Sequence, residues 1–193
     1  MYWEDRYNLK GTSGAGSIGR LAKFKANVLN EFVWKNDISS IIEFGFGDGN
    51  QLMLADYPNY IGFDVSSSAV NMCRRKFEAD RSKFFFNSSD FSSQKAQLTI
   101  SLDVVYHLIE DKNFHKYMSD LFNVSQKYVI IYSSNYDDPC HWVPHQRHRR
   151  FTDWIETNRP DFRLTYKLQN IYPYKKKDQT TTSLADFYFF NKN

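Results

Sequence analysis

Cysteine is scarce in this chain. The 193 residues include two cysteines, Cys73 and Cys140, which lie far apart. Two isolated thiols do not make a disulfide framework and fit a reducing compartment, so we expect a cytoplasmic protein. They also provide no cysteine pair of the kind that structural zinc sites use, and we expect no metal.

Long apolar runs are also missing. No segment approaches the roughly 20 apolar residues that span a bilayer, so no membrane partner is expected. The first residues, MYWEDRYN, lack the basic and then apolar pattern of a signal peptide. Neither sign of charge dominates, since the chain has 25 basic and 22 acidic residues and a net charge of +3. This balance does not call for a nucleic-acid partner.

The chain has the composition of a folded protein, with 41% hydrophobic and 18% aromatic residues. Its length suits one domain over residues 1–193. We call residues 1–19 the front segment, which ends in the glycine-rich stretch GTSGAGSIG and is predicted to be an irregular, mobile loop.

The order of patterns along the chain predicts an α/β fold. Short segments that are apolar on both sides alternate with helical patterns, which indicates a parallel sheet with helices on both faces. Two late strands without a helix between them should be antiparallel. The predicted class is therefore a Rossmann-like, doubly wound sheet, mostly parallel with a C-terminal antiparallel strand. Helices are predicted at 20–35, 66–80, 113–125 and 151–160, and strands at 40–46, 59–65, 83–89, 96–106, 127–134, 161–170 and 184–190.

The stretch EFGFGDGN places Gly45, Gly47 and Gly49 in the first predicted strand-to-helix turn. Its spacing departs from the dinucleotide motif, and it lacks the Gly-Lys-Ser/Thr ending of a P-loop. Glu43, two residues before the first glycine, would favour a ligand with a positively charged end. Asp64 closes the second strand, where an acid typically accepts hydrogen bonds from ribose hydroxyls.

Together these features resemble the class I S-adenosylmethionine-dependent methyltransferases over roughly residues 20–193. The resemblance implies S-adenosylmethionine as cofactor. Gly45 and Gly47 would pack against its methionyl part, and Asp64 would hold its ribose. The remaining predicted cofactor residues are Glu43, Val65 and Asp103, together with Asp90 and Phe91 at the adenine.

The stretch DRYNLKGTSGAGSIGRLAKFK resembles the start of small methyltransferases found among bacterial surface-polysaccharide genes, as does SLDVVYHLIEDKNFHKYMSDLF. In such enzymes a mobile front segment would close over the cofactor. The candidate contacts are Tyr7, Ser13, Gly14, Ser17 and Arg20, and Arg20 could pair with the cofactor carboxylate.

Methyl transfer to a hydroxyl needs a base near neutral pKa, which favours histidine. His107 ranks first because it follows the fourth strand at the catalytic edge of the sheet. His145 and His148, in the stretch HQRHRR, come next. A structural histidine at a helix start is the competing interpretation of His107.

The loop after the fifth strand is the predicted acceptor site. Its arginines could clamp a phosphate or carboxylate, and its aromatic side chains could stack on a flat ring. A solvated basic loop explains the same residues equally well. The candidate acceptor residues are Tyr106, Tyr136, Trp142, Arg147 and Arg149.

The predicted function is methyl transfer, to an oxygen, on a small polar or phosphorylated precursor of a surface polysaccharide, such as a sugar or a phosphoramidate. The expected partner is thus an anionic or sugar-derived small molecule. An RNA methyltransferase is one alternative, although no added RNA-binding domain or Asn-Pro-Pro-Tyr motif is present. A non-catalytic relative that binds nucleosides is another, since fold alone does not fix function.

Overall fold

The computed structural model describes residues 2–138 and 145–193, and in them a seven-stranded sheet forms the centre of the fold. The strand order is β3-β2-β1-β4-β5-β7-β6. The strands are β1 (Ile41–Phe44), β2 (Tyr60–Asp64), β3 (Lys83–Asn87), β4 (Ala96–Leu102), β5 (Ser125–Ser133), β6 (Phe162–Leu168) and β7 (Asp186–Lys192).

Strands β1 to β5 pair in parallel, and β7 runs antiparallel between β5 and β6. The predicted fold class is confirmed, including the antiparallel strand at the C-terminal end. The chain order reverses between β1 and β4, so the carboxyl ends of these strands form the switch point where such sheets bind ligands.

Five α-helices cover the sheet within the described ranges: α1 (Tyr2–Asn8), α2 (Gly19–Lys35), α3 (Ser67–Lys76), α4 (Asp111–Asn123) and α5 (Phe151–Asn158). Successive strand residues point to opposite faces. Ile41 therefore joins a core with α1, α2 and α3, and Ile42 joins a second core with α4 and α5.

The front segment differs from its prediction. Residues 2–8 form α1 instead of an irregular loop, and Ala15–Ser17 form a turn of 3-10 helix. Trp3 and Tyr7 are four residues apart and thus share one face of α1, where both contact the core around α2 and α3.

Two connections after strands also differ from their predictions. The glycine turn leads to a single 3-10 turn, Leu52–Leu54, instead of an α-helix. Pro58 disfavours helix at the residue before it, which leaves little chain for one. β4 ends at Leu102, earlier than predicted, because Asp103 has a left-handed backbone with φ of 59°. A second 3-10 turn, Val105–His107, follows.

In the part of the chain that the structure describes, every helix lacks either the length or the apolar character needed to cross a membrane.

Candidate active site

The glycine turn after β1 is closely covered by other parts of the chain. Gly45, Gly47 and Gly49 all have positive φ, a conformation that side chains disfavour. A Cβ on Gly45 would lie 2.5 Å from Val104, and one on Gly47 would overlap Ser13 Oγ. The turn thus combines positive φ values with close contacts to neighbouring side chains, and both conditions favour glycine.

Asp64 ties the end of β2 to the glycine turn. Its Oδ2 accepts a hydrogen bond from the Gly47 N–H and its Oδ1 accepts one from the Ser66 N–H, each at 2.9 Å. The residue is 6% exposed. Burial raises the pKa of Asp64 to about 6, although these backbone N–H groups act against the rise. A carboxylate has about four lone-pair sites, so acceptor capacity remains for a ligand beside the Gly47, Ser66 and Val65 N–H groups.

Glu43 is buried beneath the same edge of the sheet. Its Oε2 accepts a hydrogen bond from the Tyr60 hydroxyl at 2.7 Å, and the residue is 4% exposed. Burial raises the pKa of Glu43 to about 7, while the Tyr60 bond and the charge of Lys25 oppose the rise. One carboxylate oxygen of Glu43 is occupied by the Tyr60 hydroxyl. A direct contact of Glu43 with the cationic end of a ligand stays a prediction.

Replacing Glu43 with glutamine is expected to stabilise the fold at about pH 8. An acid whose pKa is raised contributes stability below its unfolded pKa of 4.5, and loses that contribution as the pH rises toward 7. Above that range the buried carboxylate costs about 3 kcal/mol, and glutamine keeps an oxygen for Tyr60. Thermal unfolding at about pH 4 and about pH 8 checks this. An equal effect at both pH values would contradict it.

The predicted adenine contacts, Asp90 and Phe91, and the predicted cofactor residue Val65 lie beside the ends of β2 and β3. Val65 is 48% exposed directly after Asp64. Asp90 is exposed at the end of a short 3-10 turn. Phe91 turns inward, with its ring edge on Phe44 at 5.4 Å and Phe63 at 5.2 Å. Val65 and Asp90 therefore offer open surface, and Phe91 supports it from within.

Residues 2–19 of the front segment lie over the glycine turn. The Tyr7 hydroxyl and Ser13 Oγ share a hydrogen bond of 2.9 Å, and the Ser13 N–H donates to Asp48 at 2.9 Å. Ser13 Oγ in turn accepts from the Asp48 N–H. Burial raises the pKa of Tyr7, which is therefore a neutral hydroxyl. The structure thus brings Tyr7 and Ser13 to the predicted cofactor site.

Glu4 binds α1 to the start of α3 through hydrogen bonds with Ser66 and Ser68, which we call the latch. Its carboxylate accepts hydrogen bonds from Ser66 Oγ at 2.6 Å, Ser68 Oγ at 2.7 Å and the Ser68 N–H at 3.2 Å. Chiefly the Ser66 bond, followed by those from Ser68, lowers the pKa of Glu4 to about 2. The latch is therefore present above the unfolded pKa of 4.5 and is lost as the pH falls toward 2.

Replacing Glu4 with glutamine is expected to loosen α1. A neutral amide accepts these hydrogen bonds more weakly, so amide hydrogens of residues 2–10 should exchange about 10-fold faster. Glu31→Gln is the matched control, since Glu31 is exposed and pairs with Lys35 on α2. Unchanged exchange in α1 would show that Glu4 does not hold it.

Arg20 contacts the connection between β6 and β7. Its Nε donates to the Thr181 carbonyl at 2.6 Å, and its guanidinium pairs with Asp178 at 3.3 Å. It also stacks on the Tyr172 ring at 4.4 Å. The connection between β6 and β7 holds the guanidinium in this structure, and the predicted pairing of Arg20 with the cofactor carboxylate stays a prediction.

Asp103, at the end of β4, is held by two side chains. Its Oδ2 accepts from Lys25 Nζ at 2.5 Å, and its Oδ1 accepts from the Tyr106 hydroxyl at 2.9 Å. The Tyr106 hydroxyl is thus occupied by Asp103. Lys25 is the functional candidate that sequence reasoning missed. The available signal was a lysine on the apolar face of α2, next to Phe24.

His107 has a defined tautomer. Its Nδ1 lies 2.9 Å from the His145 carbonyl oxygen, which can only accept, so Nδ1 carries the proton. Nε2 is then the basic nitrogen. Burial lowers the pKa of His107 to about 4, so the ring is neutral at physiological pH. Trp3 of α1 packs edge-on against the ring at 5.0 Å.

Of the other two candidate bases, His145 contacts His107 directly and His148 is connected to it through Tyr106. The His145 ring stacks between Tyr2 at 4.5 Å and His107 at 5.6 Å. His148 Nδ1 lies 2.6 Å from Ser134 Oγ, and its ring stacks on Tyr136 at 4.8 Å. Burial lowers the pKa of both histidines. The Tyr106 ring lies 4.6 Å from the His107 ring and 5.8 Å from the His148 ring, so Tyr106 connects the three predicted bases into what we call the histidine cluster. Tyr2 and Trp3 of α1 pack against its His145 and His107 members.

Arg147 and Arg149, which were predicted to bind an anionic substrate group, bind groups of the protein itself. Arg147 donates to the Ile109 carbonyl at 2.9 Å and pairs with Asp111 at 3.0 Å. Arg149 donates to the Leu108 and Ile109 carbonyls, pairs with Asp111 at 3.0 Å, and is nearly buried. These arginines fix the loop before α4, and a substrate role for them stays a prediction. Trp142 and Cys140 lie outside the described residues.

No cluster of three or more potential metal ligands occurs among residues 2–138 and 145–193.

Methyltransferases of known structure share this architecture. Magnesium protoporphyrin IX methyltransferase from Synechocystis, with bound SAH, superimposes with a TM-score of 0.72 at 13% identity, over 100% of this chain and 97% of that one. The chain has the class I methyltransferase fold. The N-methyltransferase NodS from Bradyrhizobium japonicum, in complex with S-adenosyl-L-homocysteine, gives 0.70 at 14% identity, over 89% of this chain and 87% of that one.

The methyltransferase domain of bacterial CtHen1 is also similar, with a TM-score of 0.65 at 17% identity, over 88% of this chain and 97% of that one. No family model and no curated protein matches the sequence.

Proposed function

We propose that this chain is an S-adenosylmethionine-dependent methyltransferase. The observation that carries the proposal is the meeting of the glycine turn, Asp64 and Asp103 at the carboxyl ends of β1, β2 and β4. That is the switch point of the sheet, where doubly wound folds bind ligands. The fold that the chain shares with methyltransferases supports the same conclusion.

The side chains at this edge suit a nucleoside with a charged amino-acid tail. Asp64 keeps acceptor capacity for the ribose hydroxyls beyond what its backbone partners use. Val65 offers exposed apolar surface beside it for a flat base. Asp103 supplies a negative charge for the amino group of the tail. Residues 2–19 would cover this ligand and exclude water.

The chain's own part in the reaction is placement and proton removal. When bound, the cofactor supplies a methyl group on an electrophilic sulfonium. His107 would take the proton from the acceptor hydroxyl at Nε2, which the His145 carbonyl leaves as the basic nitrogen. Burial lowers the pKa of His107 to about 4, which keeps Nε2 unprotonated and makes it a weaker base than a free imidazole. Trp3 and Tyr2 of α1 would close the acceptor side, since they already contact His107 and His145.

We propose as acceptor a small polar or phosphorylated precursor of a surface polysaccharide, such as a sugar or a phosphoramidate, methylated on oxygen. Support comes from the resemblance of the front segment to methyltransferases of that kind. The segment that carries His145 and His148 also carries Arg150, a cation that suits an anionic group and whose side chain is 57% exposed, 4.0 Å from Asp153.

Calorimetric titration of the wild-type chain with S-adenosylmethionine and S-adenosylhomocysteine is the test. We expect micromolar binding of both, followed by methyl transfer when a panel of phosphorylated sugars is added. No binding of either ligand would overturn the proposal. Binding without transfer to any panel member would overturn the proposed acceptor class and favour a nucleoside-binding relative.

A further inference from the structure

Lys25 is a buried charge whose hydrogen-bonding capacity is mostly unused. Only 1% of its side chain is exposed, on the face of α2 that packs against the sheet. Within residues 2–138 and 145–193, its Nζ makes one hydrogen bond, to Asp103, and lies 5.3 Å from the centre of the Tyr132 ring. An ammonium group has three donors. A buried cation is costly unless it is fully paired and hydrogen-bonded, so packing alone explains this lysine poorly.

The ion pair of Lys25 and Asp103 lies between the glycine turn and the front segment. Val104, next to Asp103, touches Gly45. A Cβ on Gly16 of the front segment would lie 2.7 Å from Asp103 Oδ2, the same oxygen that Lys25 contacts. Asp103 also has a left-handed backbone conformation, which is uncommon for residues other than glycine and is found most often at functional sites. The pair is thus at the cofactor site and is covered by the front segment.

Other cations near the glycine turn have hydrogen-bond partners among the described residues. Arg6 of the front segment donates to the Thr12 carbonyl at 2.6 Å and to the Tyr2 hydroxyl at 3.0 Å. Arg20 is held by Asp178 and Thr181. Lys76 donates to the Asp48 carbonyl at 2.6 Å and to Asn50 Oδ1 at 2.9 Å. Lys25 therefore combines burial at the site with donors that lack a partner in the described chain.

We propose that Lys25 and Asp103 together bind the amino-acid end of the cofactor, with Lys25 on the carboxylate and Asp103 on the ammonium group. This inference rests on the proposed function. Without the cofactor, the two side chains neutralise each other. A zwitterionic tail gives each of them a partner of opposite charge, so that one ion pair is extended to a network of four charges. Opening of the front segment at Gly16 gives access to it.

Calorimetry with three ligands tests this assignment. S-adenosylhomocysteine carries both tail charges, its decarboxylated analogue keeps only the amino group, and methylthioadenosine lacks the tail. Lys25→Met is expected to weaken S-adenosylhomocysteine binding by about 10- to 100-fold, the value of a charge-assisted hydrogen bond, and to leave the other two ligands within about 3-fold. Asp103→Asn should weaken both ligands that carry the amino group.

Methylthioadenosine also reports whether each variant folds, since it uses the rest of the pocket. The double variant Lys25→Met/Asp103→Asn removes both buried charges and so avoids an unpaired carboxylate. It is expected to bind methylthioadenosine normally and to have no preference for S-adenosylhomocysteine. Lys25→Arg should keep that preference.

Three results would overturn the assignment. The first is a Lys25→Met variant that binds S-adenosylhomocysteine with wild-type affinity. The second is an equal loss of affinity for S-adenosylhomocysteine and methylthioadenosine in that variant, which would mark a purely structural lysine. If the wild type binds none of the three ligands, the proposed function fails and this inference fails with it. Normal wild-type binding with an unaffected Lys25→Met variant would overturn the inference alone.

Discussion

Asp64→Ala is expected to weaken S-adenosylhomocysteine binding by about 100- to 1,000-fold, because it removes two charge-assisted hydrogen bonds to the ribose. It also leaves the Gly47 and Ser66 N–H groups without their carboxylate acceptor at a buried position. The glycine turn loses the contact that fixes it to β2. Calorimetric titration of wild type and variant measures the loss.

Asp64→Asn separates these two contributions. One amide oxygen can still accept from a backbone N–H, but the amide nitrogen then faces another donor, so we expect a loss smaller than that of alanine. Asp56→Ala is the matched control, since Asp56 is exposed in the loop before β2. Wild-type affinity in Asp64→Ala would contradict the placement of the ribose at Asp64.

The affinity should also depend on pH in a definite direction. The raised pKa of Asp64, about 6, means that this carboxylate takes up a proton as the pH falls below that value. The protonated form offers a weaker acceptor, so S-adenosylhomocysteine binding should weaken as the pH falls from about 7 to about 5. Asp64→Asn should lack this dependence.

Much of the fold follows from local patterns. Segments that are apolar on both sides have to be covered on both sides, which determines a parallel sheet between helices. The same reasoning places every loop after a strand at one edge, and Asp64 and His107 are found there. Their neighbourhood was predictable because it depends on strand direction and not on individual contacts.

The features that the sequence did not predict depend on partners distant in the chain. Arg20 looked like an anion ligand in a glycine-rich stretch, but Asp178 and Thr181 hold it from a region more than 150 residues away. Glu4 gains its role only from the serines that begin α3. Lys25 is one basic residue in a helical pattern until β4 places Asp103 beside it.

The second large effect is expected at His107. His107→Ala should lower kcat by about 100- to 10,000-fold, the usual contribution of a general base, while cofactor affinity changes by less than about 3-fold. The hydrogen bond from Nδ1 to the His145 carbonyl fixes the ring with Nε2 as the proton acceptor. Steady-state rates at saturating cofactor, together with calorimetry, separate the two quantities.

The matched control is His115→Ala, because His115 is exposed on α4 and its Nδ1 accepts a hydrogen bond from Trp154 away from the histidine cluster. The pKa of His107, lowered to about 4, gives a further expectation. A lowered pKa keeps the imidazole neutral and able to accept a proton down to that pH, so kcat should have no acid limb near 6.5, the value of free imidazole. If His107→Ala keeps its rate and His148→Ala loses it, the proton goes to His148, whose ring lies in the same cluster beside Ser134 and Tyr136.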